Sequence, residues 1–199
     1  MTNTIRKPLP AWPGARIAVV SPASSARPDR IARGLEVLWS LGYDAVASEH
    51  ALGKHPPYFS GTPQERLDDL HAAFADPETR AIICTRGGYG SNYLLEALDL
   101  NLIRRHPKPF FAYSDMTAMQ TWLLDQIGLV SFHAPMVAAD FSVPDGVHVE
   151  SFRNAITTGL VEAGSEEGMH ILRPGRATGV LYGGCLSILA ASLGTRFAP

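Results

Sequence analysis

Cysteine, charge and long apolar runs are all scarce in this sequence. Two cysteines, Cys84 and Cys185, stand in 199 residues. They make neither a disulfide framework nor a CxxC metal spacing, and such sparse usage fits a reduced, intracellular protein, so a cytoplasmic location is expected. Charged residues are 18% of the chain, against roughly 25% in an average soluble domain. Lysine and arginine total 17, aspartate and glutamate 19, for a formal net charge of −2. That balance gives no electrostatic footprint for nucleic acid or an anionic membrane. The first sixteen residues carry Arg6, Lys7, Arg16 and three prolines but no apolar run, so they do not read as a secretory signal. From Ala177 to Thr195 there is no charge, yet Gly179, Gly183, Gly184 and Gly194 interrupt the stretch. A membrane span needs about 20 mostly apolar residues, so none is expected here. The seven histidines show neither HxH nor HxxxH spacing; no metal site and no cofactor are expected.

What is present is a chain with enough apolar residues, 46%, to bury a core, which excludes general disorder. Short β-branched or apolar runs alternate with helical patterns. Strands are expected over Arg16 to Val20, Tyr43 to Ala47, Arg80 to Thr85, Pro109 to Tyr113 and Leu129 to Phe132. Between them lie helices opened by Pro28-Asp29, by the capping box Thr62-Pro63-Gln64-Glu65, by Ser91 and by Asp115. That alternation predicts an α/β fold with a mainly parallel sheet flanked by helices. Ligands then sit at the carboxyl ends of the strands, where three segments stand: Ser21 to Arg27, Arg86 to Ser91 and Tyr113 to Thr117. The length falls between one domain and two. Residues 1–145 are expected to form an N-terminal α/β domain, 146–176 a linker containing a short helix at Val147 to Ile156, and 177–199 the start of a second, incomplete domain with a strand over Ala177 to Tyr182 and an apolar helix from Cys185 to Leu193.

Ser114 lies between the apolar strand PFFAY and the helix DMTAMQTWLLDQI. A serine on a sharp strand-to-helix turn exposes its hydroxyl, and the next amide, here Asp115, faces a developing oxyanion at a helix N-terminus. Taken alone, the commoner role for Ser114 or Asp115 is a helix cap. Arg86-Gly87-Gly88-Tyr89-Gly90 follows a strand, and its adjacent glycines let backbone amides approach a ligand oxygen. It is either an anion cradle, half of an oxyanion hole, or a tight βα turn; it matches no nucleotide fingerprint. Cys84 reads as a small buried hydrophobe. His133, after the fifth strand, is within possible reach of the site, although a structural role is the commoner one for such a histidine.

Taken in order, IAVVSPAS, TRGGYGSNYLL, FFAYSDMTAM and GVLYGGCLSILAASLGT resemble the LD-carboxypeptidase family of serine peptidases, which includes murein tetrapeptide carboxypeptidases and microcin C self-immunity peptidases. The resemblance covers about residues 16 to 199. It implies a Ser-Glu-His triad with Ser114 as nucleophile, and an oxyanion hole from the Asp115 amide and the Gly88 amide, with Gly87 the near alternative. Arg86, Gly87 and Tyr89 become candidate substrate-loop residues. The implied substrate is a small murein tetrapeptide-like peptide, from which terminal D-Ala is removed in cell-wall recycling; a homodimer is a further implication. Ala112 replaces the family's usual glycine two residues before the serine, and Cys185 replaces the amide of a GGNLS-like motif. The family's Glu and His should follow Pro199, and Glu162, Glu166 and His170 do not match them, so the 199-residue chain is expected to turn over hardly at all. Competing readings are a small α/β protein binding an anionic ligand, a microcin C-type self-immunity peptidase, and a complete hydrolase using His133 as base.

Overall fold

The computed structural model describes residues 4–161 and 170–198. Five parallel strands form one sheet in the order β2-β1-β3-β4-β5, where β1 is Arg16–Val20, β2 Asp44–Ala47, β3 Thr79–Cys84, β4 Phe110–Ala112 and β5 Phe132–His133. Side chains alternate between the faces, and both faces are covered, as a parallel sheet requires. Ala18, Val20, Ile82, Cys84, Phe110 and Ala112 point to one side. They meet helix α2 (Pro63–Ala75), a 3₁₀ helix (Ser91–Ala97), α3 (Leu100–Arg105) and α4 (Thr117–Ile127). Ile17, Val19, Ala81, Ile83 and Phe111 point to the other, toward α1 (Pro28–Ser40), a π-turn (Val137–Phe141) and α5 (Val149–Thr158). Phe111 stacks on Phe132 at 4.5 Å between ring centroids, and Phe152 of α5 meets Phe111 edge-on at 5.6 Å. That helix lies inside the stretch 146–176, and Phe152 is buried in the core; part of that stretch, with Glu162 and Glu166, lies outside the described residues.

The expected capping box is formed: Thr62 Oγ1 accepts the Glu65 amide, and the Glu65 carboxylate accepts the Thr62 amide. Three expectations need correction. The last strand is displaced from Leu129–Phe132 to Phe132–His133, because Arg6 takes the place beside Leu129: its amide donates to Gly128 O and its carbonyl accepts Val130 N. The segment over Ala177 to Tyr182 is not a strand; no described strand pairs with it. The coil after Ser91 is a 3₁₀ helix rather than an α-helix. The apolar helix near the end is α6 (Leu186–Ser192), which buries none of its residues.

Candidate active site

The strand order places the topological switch between β1 and β3, whose carboxyl ends open a crevice. The ends are stitched together. Ser21 Oγ donates to Ala51 O at 2.8 Å, so at 2.6 Å from Thr85 Oγ1 it is the threonine hydroxyl that donates. Next to this seam, β4 runs into an elbow. Tyr113 is fully extended (φ −155°, ψ −170°), and Ser114 then takes φ +62°. Among the described residues only Ser114 and Asp145 have positive φ without being glycine. A left-handed serine is strained, and such strain is concentrated at functional turns. Ala112 lies in β4, fully buried and paired with His133, outside that strained region, so a Cβ is tolerated where the family has glycine.

Gly87 is the residue that touches the elbow. A methyl group there would lie 3.0 Å from Ser114 Cβ, 3.2 Å from Ser114 Oγ and 3.3 Å from the Asp115 amide nitrogen. Gly88, at φ +112°, turns its α-carbon elsewhere: a methyl there would lie 2.3 Å from Ser24 Oγ. The loop is therefore packed against Ser114 by one glycine and against the β1 loop by the next, while Tyr89 N donates to Ser24 Oγ at 3.2 Å. Among the described residues no acceptor takes the amides of Gly87, Gly88 or Asp115. Ser114 Oγ is half-buried and likewise has no hydrogen-bond partner among them.

Two side chains hold loop and elbow together. The Asp115 carboxylate accepts Ser91 N at 2.9 Å, and Ser91 Oγ donates back to Asp115 O at 2.9 Å. Arg66, 2% exposed, donates through Nη1 to Pro22 O at 2.8 Å and to Gly90 O at 3.0 Å, and its guanidinium lies 4.7 Å over the Phe59 ring. Burial pushes its pKa down while the Asp115 charge pushes it up; an arginine keeps its proton through such shifts. Neither clamp was visible in the sequence. Ser91 read as a helix start, and Arg66 carried no mark beyond its place in the helix behind the Thr62 capping box.

The other candidates sit apart. Arg86 is exposed, and Tyr89 is half-exposed with its hydroxyl 3.1 Å from that of Tyr93. His133 is exposed, its ring 5.7 Å from the Tyr113 ring. Among the described residues no histidine or glutamate bonds to Ser114, and His170 is exposed. Tyr113, whose hydroxyl donates to Asp140 at 3.2 Å, is raised in pKa by burial and by that carboxylate. Cys84 is fully buried, and burial raises its thiol far above the ordinary range, which leaves it inert. Cys185 N donates to Thr117 Oγ1 at 2.9 Å, and Cys185 Sγ lies 3.1 Å from Ser187 Oγ. This docks the GGCLS motif onto the first turn of α4. A cavity of about 500 Å³ lies under the same segment, lined by Lys7, Gln120, His133 and Tyr182 among others; it does not include Ser114. Among the described residues no group of three or more His, Cys, Asp or Glu could hold a metal ion, and no helix is long and apolar enough to cross a membrane.

Residues 17–134 match the LD-carboxypeptidase N-terminal domain. The chain belongs to the LD-carboxypeptidase family. It is 38% identical, over 96% of its length, to the Streptomyces coelicolor protein named "Putative carboxypeptidase", covering 63% of that protein. It is 36% identical to the Bacillus subtilis "Probable murein peptide carboxypeptidase", covering 96% of this chain and 60% of that one. The solved structure of the microcin C7 self immunity protein MccF in complex with aspartyl sulfamoyl adenosine superposes with a TM-score of 0.81 at 27% identity, over 96% of this chain and 67% of that one. The chain thus spans about three fifths of the length of the two curated relatives. The α/β fold and the parallel sheet are those of this family.

Proposed function

We propose that this LD-carboxypeptidase chain carries the nucleophile and oxyanion hole of a serine peptidase that removes terminal D-Ala from murein tetrapeptide. The observation that carries the reading is the Ser114 elbow, with φ +62° and the Gly87 backbone packed against its hydroxyl. Ser114 Oγ attacks the carbonyl that joins the L-centre of meso-diaminopimelate to D-Ala. The oxyanion rests on the Asp115 and Gly88 amides, with Gly87 as the alternative donor. Arg86, Gly87 and Tyr89 contact the peptide. The tetrahedral intermediate expels D-Ala as its amine takes up the serine proton, and water then hydrolyses the acyl-enzyme. One lost oxyanion donor costs ~10²–10³ in rate. The base and its orienting carboxylate are the His and Glu of the family's triad. No described residue fills either role, so the 199-residue chain binds peptide and turns over slowly. The start of a second domain at 177–199, preceded by a linker, is part of the same reading, supported by the exposure of Leu181, Leu186 and Leu193. Two free cysteines support a cytoplasmic setting, and a homodimer remains part of the proposal.

The murein reading is favoured over a microcin-type substrate by the higher identity to the Bacillus subtilis protein, 36% against 30% for the Escherichia coli microcin C7 self-immunity protein. The test is a titration of the chain with murein tetrapeptide, followed by amide resonances and by mass spectrometry for D-Ala. Shifts at Gly87, Gly88 and Asp115 with only slow release are expected. No shift at those amides would overturn the substrate. Release that survives Ser114→Ala would remove Ser114 from the mechanism.

A further inference from the structure

Beside the Arg86–Gly90 loop, aromatic rings from separate segments gather in the open. Tyr58 and Phe59 come from the connection between β2 and α2, Tyr89 from the loop itself, and Tyr93 from the 3₁₀ helix. Ring centroids are 4.6 Å apart for Tyr58–Phe59, 6.3 Å for Tyr58–Tyr89, 5.6 Å for Tyr89–Tyr93 and 6.2 Å for Phe59–Tyr93. The three tyrosines are 42%, 43% and 55% exposed in chain order. Scattered exposed aromatics need no explanation, but contiguous ones mark contact surfaces.

This patch is also held firmly. Phe59 sits under the Arg66 guanidinium, which ties the Pro22 and Gly90 carbonyls. Tyr58 O accepts Ser25 N at 2.9 Å, and Phe59 pairs with His55 through both backbone groups. Tyr89 N is fixed to Ser24, two residues from the glycine that touches Ser114. The rings are therefore preorganised relative to the nucleophile, and a ligand that meets them loses little to ordering the protein.

We propose that Tyr58, Tyr89 and Tyr93 form a saccharide subsite, which takes the pyranose ring of an amino sugar joined to the peptide that Ser114 attacks. This deepens the function proposed above and rests on it, because murein peptides are carried on such a sugar. A pyranose offers an apolar C–H face and a rim of hydroxyls. Tyrosine matches both, with a π-face and a phenol that donates and accepts. The neighbouring rings meet at 45° to 90° rather than in parallel, so they form a faceted wall and no slot for a flat base. The cation beneath them, Arg66, is 2% exposed and packed against the Phe59 ring, so it is shielded from a nucleotide phosphate.

The test is to titrate the 199-residue chain with free murein tetrapeptide, with the same tetrapeptide on N-acetylmuramic acid, with N-acetylmuramic acid alone, and with AMP. Affinity is read by calorimetry and ring contact by tyrosine resonances. The sugar-linked peptide is expected to bind about tenfold tighter than the free peptide and to shift the rings of Tyr58, Tyr89 and Tyr93. In Tyr93→Leu that ratio falls below about twofold, and in Tyr93→Phe, which keeps the ring, it stays intermediate. Equal affinity for the two peptides with unmoved rings overturns the subsite, as does ring movement with AMP and none with the sugar. If neither peptide moves the amides beside Ser114 while the sugar still moves the rings, the peptidase reading fails and the subsite stands.

Discussion

Two apolar runs of this chain have opposite fates. Ala81 to Cys84 is 0% exposed throughout, whereas Leu186, which opens the mostly apolar run of α6, is 78% exposed. Both runs are mostly apolar, α6 carrying Ser187 and Ser192 as its polar residues. The difference lies in partners: β3 is laddered to β1 and β4 and covered on both faces. By contrast, α6 touches α4 along one side and buries nothing. The segment 170–198 is fastened instead by single polar contacts, Cys185 N to Thr117 Oγ1 and the Tyr182 hydroxyl to Asp125 at 2.8 Å, with an Arg196–Glu96 ion pair and Phe197 edge-on to Trp122. The nucleophile belongs to the first kind of structure, which lets an elbow hold a strained φ. The GGCLS motif belongs to the second.

The sharpest way to break this contrast is a matched pair of truncations read by urea unfolding. Phe111→Ala removes a ring packed among Phe132 and Phe152 in the core. It should cost about 3–5 kcal/mol. Leu186→Ala should stay within about 0.5 kcal/mol. A large loss at Leu186 would mean that the segment is covered in solution. Next in size is Arg66→Met. It fills much of the volume but leaves the buried carbonyls of Pro22 and Gly90 without a donor, at about 2–4 kcal/mol in total. Because those carbonyls flank the loop that meets Ser114, amide shifts at Gly87 and Asp115 should accompany the lost stability. A stability loss without those shifts would detach Arg66 from the site.

How much of this was legible in advance follows the range of the interactions. The capping box at Thr62 and Glu65 is local, and it formed as read. So is the Ser114 elbow, which shows as an abrupt change from strand to helix pattern. The position of β5 was misplaced because its competitor, Arg6, lies more than a hundred residues away in sequence. The strand expected at Ala177 to Tyr182 failed because strand-like residues need a ladder partner, and no described strand pairs with them. Helix α3, Leu100–Arg105, was missed: it is six residues long and contributes one buried side chain, Ile103, too few for a periodicity. Arg66 and the tyrosine cluster were invisible for a related reason. Their meaning depends on residues that converge from several loops, and no local pattern marks an arginine that will be buried.

The smallest expected effect concerns how the first region is fastened at its edge. His50 Nδ1 lies 2.9 Å from Asp69 Oδ1, and the same carboxylate accepts the His50 amide. This ties the loop after β2 to α2. The hydrogen bond to Asp69 is the main cause that raises the His50 pKa. Asp69 is raised too, because burial outweighs the hydrogen bonds it accepts. Both groups hold protons more tightly when folded, so both contributions fall as pH rises. The windows differ. That of Asp69 opens at about pH 4, and that of His50 at about 6.5, where the unfolded histidine titrates. Lys108, pushed down to about 8 by burial, works in the opposite sense: its contribution grows from there upward. The clean interval is therefore about pH 6.5 to 8. Melting temperature should decline gently across it in the parent chain and stay flatter in His50→Asn. An unchanged slope in the variant would show that the charge of His50 does not fasten this loop, leaving the hydrogen bond from the His50 backbone N–H to Asp69 as the tie.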